Sequence, residues 1–385
     1  QKSKKPGVLP QNLASVPHRF LQPATVGQKL AVCIPVIYTH FCPPMKDLAG
    51  LKSLLSKPRR VVVVTHFKPD ADALGSSLGL AGFLKKKGHD VQVITPSDYP
   101  GFLSWMPGND EVLAIDKDNP AKGKKAQEYV SKAEVIFCLD FSSLNRINTL
   151  GDMVREAKAT KVLVDHHLEP EHFAHYEHWD PKAASTAGLV FDLIDMLGEK
   201  PSIDKDIANC LYAGVLTDTG GFRHSNTTQK EFLIASELVG AGANPWWVSK
   251  KIYDTNTLAR MKLTGFVLSE KLVVIPEYRT VYVCLNTDEL KQFDTKTGDT
   301  EGLVNYGLSI EGIRLSVLMY DRKEEIKLSF RSLGSFPANE IARKYFEGGG
   351  HRNAAGGSSK LSLEETLNKF LSILPEYQSE LERDD

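Results

Sequence analysis

The residues of this sequence that could do chemistry stand at the ends of apolar runs. One run leads into Thr65-His66-Phe67-Lys68-Pro69-Asp70-Ala71-Asp72, a second into Leu139-Asp140-Phe141, and a third into Val164-Asp165-His166-His167. A fourth segment, Gly214-Val215-Leu216-Thr217-Asp218, places another acid at the end of an apolar helical stretch. Carboxylates with a few imidazoles and no thiolates suit Mn²⁺ first, Mg²⁺ as the alternative, and Zn²⁺ least. Two such ions roughly 3.5 to 4 Å apart, bridged by one carboxylate, would polarise a shared water and generate hydroxide at neutral pH. Taken singly, each residue has a plainer role: an Asp at a loop-to-helix junction, such as Asp70 or Asp72, usually caps the helix. A lone strand-end Asp140 or His66 is more often a hydrogen-bonded polar group than a ligand. The joint pattern changes the weighting, because four separate segments bring such groups to one plausible point.

That point requires a particular scaffold. In open α/β sheets, ligands bind beyond the carboxyl ends of the strands, where residues distant in sequence meet. Short β-branched runs at 61–66, 91–95, 112–115, 134–140 and 161–165 read as strands. They alternate with helix-period segments at 72–87, 124–131 and 144–157, the first closed by Gly88, as βαβ units require. Helices at 185–197, 204–216 and 228–240 follow. The pattern predicts an α/β fold with an open, mostly parallel sheet over 45–243 and a helical linker over 244–261, carried by one polar helix at 246–258. A smaller α+β region then spans 262–385, with strands at 272–275, 281–285, 315–320 and 326–331, a helix at 337–346, and an active-site cleft between the two regions. Residues 1–44 are proline-rich with little periodicity. They are expected to lie outside the fold, as a disordered tail or a non-native extension.

Composition narrows the function classes. A chain of 385 residues exceeds what one core usually organises, which predicts two domains. With 47 basic against 48 acidic residues there is no global field for a long polyanion, so binding of long duplex nucleic acid is not expected. A local pocket can still be positive, so a small anionic substrate fits. The five cysteines are odd in number and widely spaced, which points to a reducing, cytoplasmic setting. Cys138 and Cys284, inside apolar runs, read as small buried hydrophobes. No membrane span or signal peptide is expected: the nearest candidate, 30–42, is shorter than the roughly 20 apolar residues a span needs and is interrupted by Pro35.

Together the four segments resemble the DHH phosphoesterase family, whose name is spelled here by Asp165-His166-His167. The resemblance continues through Arg331-Ser332 and Gly348-Gly349-Gly350-His351 with Ala354-Ala355-Gly356, which look like the family's C-terminal associated domain, so it covers about residue 58 onward. It implies that His66, Asp70 and Asp140 hold one metal ion, and that Asp72, Asp140, His166 and Asp218 hold the other. His167 would then face the substrate and serve in catalysis, with Asp165 orienting the imidazoles. Arg331, Gly349, Gly350 and His351 become candidate substrate contacts, the glycines because consecutive Gly residues let backbone amides approach a phosphate. Arg223 is a further candidate, and Phe222 and Phe330 are candidate base-stacking rings.

Within the family, the resemblance is to the compact type that degrades very short RNA to mononucleotides and 3′-phosphoadenosine 5′-phosphate (pAp) to AMP. Cyclic-dinucleotide phosphodiesterases are the alternative, and a nucleotide-sensing module is the non-enzymatic one. Every expected ligand position is filled, which favours an enzyme. No additional oligonucleotide-binding module follows the glycine run, so processive digestion of long DNA is not expected. A homodimer is compatible with the sequence. His351 is expected to touch substrate at a distance from the metals.

Overall fold

The β-branched run of the first strand has two faces to bury, and its register shows how both are covered. The structure, a computed structural model, describes residues 45–383 apart from Thr297 and Lys323. The first 44 residues, with Cys33, Cys42 and the apolar stretch 30–42, lie outside the described residues. Strands β1 (Arg60–Thr65), β2 (Asp90–Thr95), β3 (Leu113–Ala114), β4 (Val135–Leu139), β5 (Thr160–Asp165) and β6 (Tyr176–Trp179) form one sheet in the order β3-β2-β1-β4-β5-β6. Every neighbouring pair is parallel. Val61 and Val63 of β1, with Val135, Phe137 and Leu139 of β4, pack under helices Ala71–Lys86, Thr186–Met196 and Lys205–Asp218. Val62 and Val64, with Ile136 and Cys138, pack on the other face under Pro120–Lys132 and Thr149–Glu156. A parallel sheet covered on both faces needs this continuous apolar character rather than strict alternation.

The strand order reverses direction between β1 and β4. At such a switch point the connections leave on opposite sides and open a crevice at the carboxyl ends. His66 follows β1 and Asp140 follows β4, so the topology itself sets these two residues at the crevice.

Three helix glycines bring the flanking helices together behind it. A Cβ on Gly75 would stand 2.4 Å from the Cys210 carbonyl oxygen, and one on Gly79 would stand 2.6 Å from the Leu211 side chain. A Cβ on Gly214 would stand 2.5 Å from Asp72 Oδ1. The helix that carries Asp72 in its first turn and the helix that ends with Asp218 therefore pack nearly backbone to backbone.

The second sheet contains β7 (Leu272–Ile275), β8 (Thr280–Leu285), β9 (Leu315–Asp321), β10 (Ile326–Ser332), β11 (Gly349–His351) and β12 (Ala354–Ser359), in the order β11-β12-β10-β9-β8-β7. It is mixed: β8 and β9 pair parallel and the other pairs are antiparallel. Phe330, Phe336, Phe346 and Phe370 build one core beneath it, and Leu263, Val267 and Leu318 belong to another.

Several expectations are corrected. The helix expected at 144–157 is a 3₁₀ turn, Leu144–Ile147, followed by Thr149–Glu156; the break falls at Asn148, which has φ 50°. The single helix expected at 246–258 is two, Pro245–Tyr253 and Leu258–Phe266, because the Thr257 hydroxyl accepts from Arg260 N and starts a second helix. Strand β6 was not expected, since Tyr176-Glu177-His178-Trp179 is half polar, as an edge strand can be. Gly349–His351, read as a loop, is the edge strand β11. Among the described residues no helix is long and apolar enough to cross a membrane.

The helix contact makes a stability test available. Gly75→Ala should destabilise the protein by about 1 to 3 kcal/mol, because backbone must move to admit the methyl group. Gly123→Ala, where a Cβ meets nothing within 4 Å, should leave stability unchanged or raise it by up to about 1 kcal/mol. Urea denaturation of the two variants checks the contrast; equal midpoints would contradict the close packing.

Candidate metal centre

The loop after β1 supplies the first ligands. His66 Nδ1 lies 3.0 Å from the Phe67 carbonyl oxygen, which assigns the ring proton to Nδ1 and leaves Nε2 as a free lone pair. Nε2 is 3.9 Å from Asp70 Oδ2 and 3.5 Å from Asp140 Oδ2. Asp70 caps the helix with one oxygen and leaves the other toward the candidate ligands. Its Oδ1 accepts from Asp72 N and Ala73 N, capping the helix, while Oδ2 turns to His66. Such a cap contributes about 1 kcal/mol to the helix.

Asp72, two residues further on, is wholly buried, which would be costly for an uncompensated carboxylate. Its Oδ2 accepts from Thr186 N at 2.7 Å and its Oδ1 from Ala187 N at 2.9 Å. The amino end of helix Thr186–Met196 is thus aimed at this acid, where unpaired amides and the helix dipole favour negative charge. Thr186 also donates its hydroxyl to Asp140 Oδ1 at 2.8 Å. Sequence reasoning placed a helix start at Ser185 but gave Thr186 no part in the site. The dipeptide looks like an ordinary cap, and only the fold reveals what its amides face.

Asp140 is the hub. It sits immediately after β4 with φ 66°, a left-handed conformation that Asp tolerates better than most residues, and its N–H donates to the Val164 carbonyl. Its Oδ2 faces His66 Nε2 and its Oδ1 faces His166 Nε2 at 3.4 Å. His166 Nδ1 lies 3.0 Å from the Ala183 carbonyl oxygen, so Nε2 is again the free nitrogen. That atom is also 3.8 Å from Asp72 Oδ2 and 3.3 Å from Asp218 Oδ2. It is buried and has no hydrogen-bond partner. A nitrogen ringed by three carboxylates and bonded to none of them fits a cation between them, a proton at low pH or a metal ion once that proton is lost. The ligand atoms of His66, Asp70 and Asp140 form one group that could hold a metal ion, and those of Asp72, Asp140 and His166 form another.

His167 is arranged differently. Asp165 Oδ1 takes its Nδ1 proton at 2.8 Å, and Trp179 Nε1 donates to its carbonyl oxygen at 2.7 Å. The ring of His351, arriving from β11, stacks on His167 with centroids 4.2 Å apart and stands 4.9 Å from the ring of His166. His351 is therefore not remote, as expected from sequence, but against the DHH triplet. Its ring nitrogens join those of His166 and His167 in a further group that could hold a metal.

Arg331, on β10, donates to the Phe330 carbonyl oxygen, and its charge interacts with Glu301, Asp218 and Asp70. Gly348 and Gly350 serve close strand contact: a Cβ would stand 2.1 Å from the Gly356 oxygen and 2.6 Å from the Ala354 oxygen respectively. Gly349 faces open space. Arg223 is exposed and donates through Nε to the Gly220 carbonyl oxygen. Phe330 is fully buried in the second lobe's core and cannot stack on a base, whereas Phe222 is half-buried and stacks on Phe232. Among the described residues Cys138, Cys210 and Cys284 are free; the first is buried as expected and Cys284 only partly.

Crowding shifts the titrations. Burial raises Asp72 and Asp218 well above the usual carboxylate range, and the neighbouring acids add to it. Burial alone would depress His66 and His166, but Asp140, with Asp70 for the first and Asp218 for the second, outweighs it and raises both. Asp140, whose burial is overcome by His166 and His66, is held well below its usual range. Burial lowers His167 despite Asp165, and burial beside His167 and His166 pushes His351 down to about 2.

Two domain families match this chain: the DHH family, N-terminal domain, over residues 60–215, and the DHHA1 domain over residues 278–380. The chain belongs to the DHH family. It is 32% identical over 317 residues to the bifunctional oligoribonuclease and PAP phosphatase of Thermus thermophilus, an alignment covering 82% of this chain and 89% of that protein. It is 25% identical to the cyclic-di-AMP phosphodiesterase of Listeria monocytogenes, over 85% of this chain but 49% of that one. Among solved structures, an exopolyphosphatase-related protein from Bacteroides fragilis superposes with a TM-score of 0.84 and 37% identity, over 88% of this chain and 99% of that one. As a DHH protein the chain is a phosphoesterase, and the α/β sheet plus mixed second sheet is this family's fold.

A divalent cation entering this donor set must displace protons from groups whose pKa is raised: Asp72, Asp218, His66 and His166. Mn²⁺ affinity should therefore rise with pH and weaken as pH falls, with protons released on binding. Calorimetry in buffers of different ionisation enthalpy checks it; a pH-independent affinity without proton release would contradict the assignment.

Proposed function

We propose that this protein hydrolyses short RNA oligonucleotides to mononucleotides and pAp to AMP, using two divalent cations, Mn²⁺ first and Mg²⁺ as the alternative. The observation that carries the reading is Asp140, whose two carboxylate oxygens face two separate ligand sets. His66 and Asp70 complete one set, and Asp72, His166 and Asp218 complete the other. The absence of thiolates favours Mn²⁺ or Mg²⁺ over Zn²⁺. Bound there, the two ions would lower the pKa of a shared water to about 7 and offset the charge of the phosphate.

The chain's own residues do the rest. Asp72 and Asp140 are fixed by the amides and hydroxyl at the start of helix Thr186–Met196, so ligands need little reorganisation when charge arrives. Asp165 pins the Nδ1 proton of His167 and leaves Nε2 open, so that nitrogen can accept a proton in the cleft and return it to the departing ester oxygen. His351 stays neutral against His167 and closes one wall of the site. Arg331 supplies positive charge for a phosphate or ribose oxygen.

The choice of short RNA and pAp over cyclic dinucleotides rests on coverage and identity. The match spans nearly nine-tenths of the Thermus oligoribonuclease and PAP phosphatase, but about half of the Listeria cyclic-di-AMP phosphodiesterase. We place the catalytic lobe at 45–243, the linker at 244–261 and the substrate-binding lobe at 262–385.

The direct test is a Mn²⁺ assay on diadenylate RNA, pAp, cyclic di-AMP and pyrophosphate side by side. Diadenylate and pAp should be the best substrates; fastest turnover of cyclic di-AMP would transfer the assignment to the alternative. Asp140→Ala should abolish hydrolysis, a loss of at least about 10³-fold, and near-normal turnover would remove its bridging role. His351→Ala should lower kcat as well as raise KM, because the ring touches His167; a pure KM effect would return it to a distant substrate contact.

A further inference from the structure

Hydrolysis of a phosphoester needs positive charge where the substrate's phosphate arrives, and the flank lined by His66, His167 and His351 has a cation that the sequence reading passed over. Lys68 stands on the same loop as His66, but its ammonium pairs with Asp98 and lies 5.8 Å from the centroid of the Phe67 ring. Arg146 is different. It belongs to the 3₁₀ turn Leu144–Ile147, which begins four residues after Asp140, at the rim of the sheet. The turn is clamped from both sides. Leu144 N donates to Glu171 Oε2 at 2.9 Å, and Phe67 N donates to the Arg146 carbonyl oxygen at 3.0 Å. The second bond joins the Arg146 backbone to the residue directly after His66.

The Arg146 side chain is half-buried and makes no hydrogen bond or ion pair among the described residues. Its charge nevertheless acts on the imidazoles of His66, His167 and His351, and the bond from Phe67 N ties its turn to the loop that carries His66. Five aspartates, Asp70, Asp72, Asp140, Asp165 and Asp218, stand in or against the same centre, and a guanidinium normally closes on a carboxylate in a two-pronged pair. Arg146 closes on none of them. A planar fork of donors held near an acid cluster yet left unengaged is matched to an anion that arrives later.

We propose that Arg146 is a substrate-binding residue whose guanidinium takes the non-bridging oxygens of the scissile phosphate on the His66 flank, a contact separate from that of Arg331. This rests on the reading of the centre as a phosphoesterase site. The fork geometry makes two parallel bonds to a phosphate, which a lysine ammonium cannot reproduce. The contact strengthens as negative charge builds on those oxygens during displacement, so it acts on kcat as well as on binding.

The experiment compares wild type, Arg146→Ala and Arg146→Lys, all loaded with Mn²⁺, in two measurements: calorimetric binding of inorganic phosphate, and kinetics on diadenylate RNA. Arg146→Ala should weaken phosphate binding about tenfold or more and lower kcat/KM about 100-fold. Thermal midpoint and Mn²⁺ stoichiometry should stay at wild-type values, and Arg146→Lys should recover only part of the loss. Phosphate affinity and kcat/KM within about twofold of wild type in Arg146→Ala, or a loss of Mn²⁺ in step with activity, would overturn the assignment. A wild type that hydrolyses no substrate while phosphate binding still depends on Arg146 would sink the proposed function and sustain this contact.

Discussion

The constraint on which this structure turns is the crowding of acids, two of them almost wholly buried, around one point. Asp72 and Asp140 are buried almost completely, Asp218 faces them, and Asp70 completes the ring beside His66. Like charges at such separations repel, and burial withholds the solvent that would screen them. The fold answers with whatever positive character a neutral chain can gather. It brings two amides and a hydroxyl from the start of one helix, two imidazoles fixed by backbone carbonyls, and a glycine-mediated helix contact that holds Asp72 and Asp218 in register. These devices fix the acids without neutralising them, and divalent cations are the natural complement.

The second lobe bears on the same point. His351 lies in a short edge strand in which Gly350 is required by contact with β12, and that strand carries the imidazole onto His167. An ion pair between Arg343 and Glu169 links the lobes nearby, although exposed pairs of this kind contribute little stability. The site is therefore composite: the first lobe supplies the acids, and the second supplies a neutral ring and the Arg331 guanidinium. A substrate short enough to fit between them meets both at once, which suits a protein acting on nucleotides and very short chains.

Much of this was legible in the sequence because strand termini are local features. The runs ending at His66, Asp140 and Asp165 are β-branched and bounded, and a parallel sheet sends their carboxyl ends to one edge whatever the details of packing. Asp70 could not be resolved as cap or ligand because its Oδ1 caps the helix while its Oδ2 faces His66. Thr186, Arg146 and Trp179 were missed for a shared reason: each contributes through a contact across the fold, with Asp72 and Asp140, with Phe67, and with the His167 carbonyl. Phe330 failed in the opposite way, since an aromatic ring suggests base stacking while the core of the second lobe buries it; in the glycine run, Gly348 and Gly350 serve strand contact and Gly349 faces open space. The DHH signature named the chemistry, but only the coordinates place His351 against His167.

The central claim is that one carboxylate, Asp140, joins two ions into a single centre. Electron paramagnetic resonance of the protein titrated with Mn²⁺ addresses it most directly. A shared centre gives two ions per chain and a spectrum of two spin-coupled Mn²⁺ ions once both are bound. A signal of isolated Mn²⁺ at every stoichiometry, with one ion per chain at saturation, would contradict it.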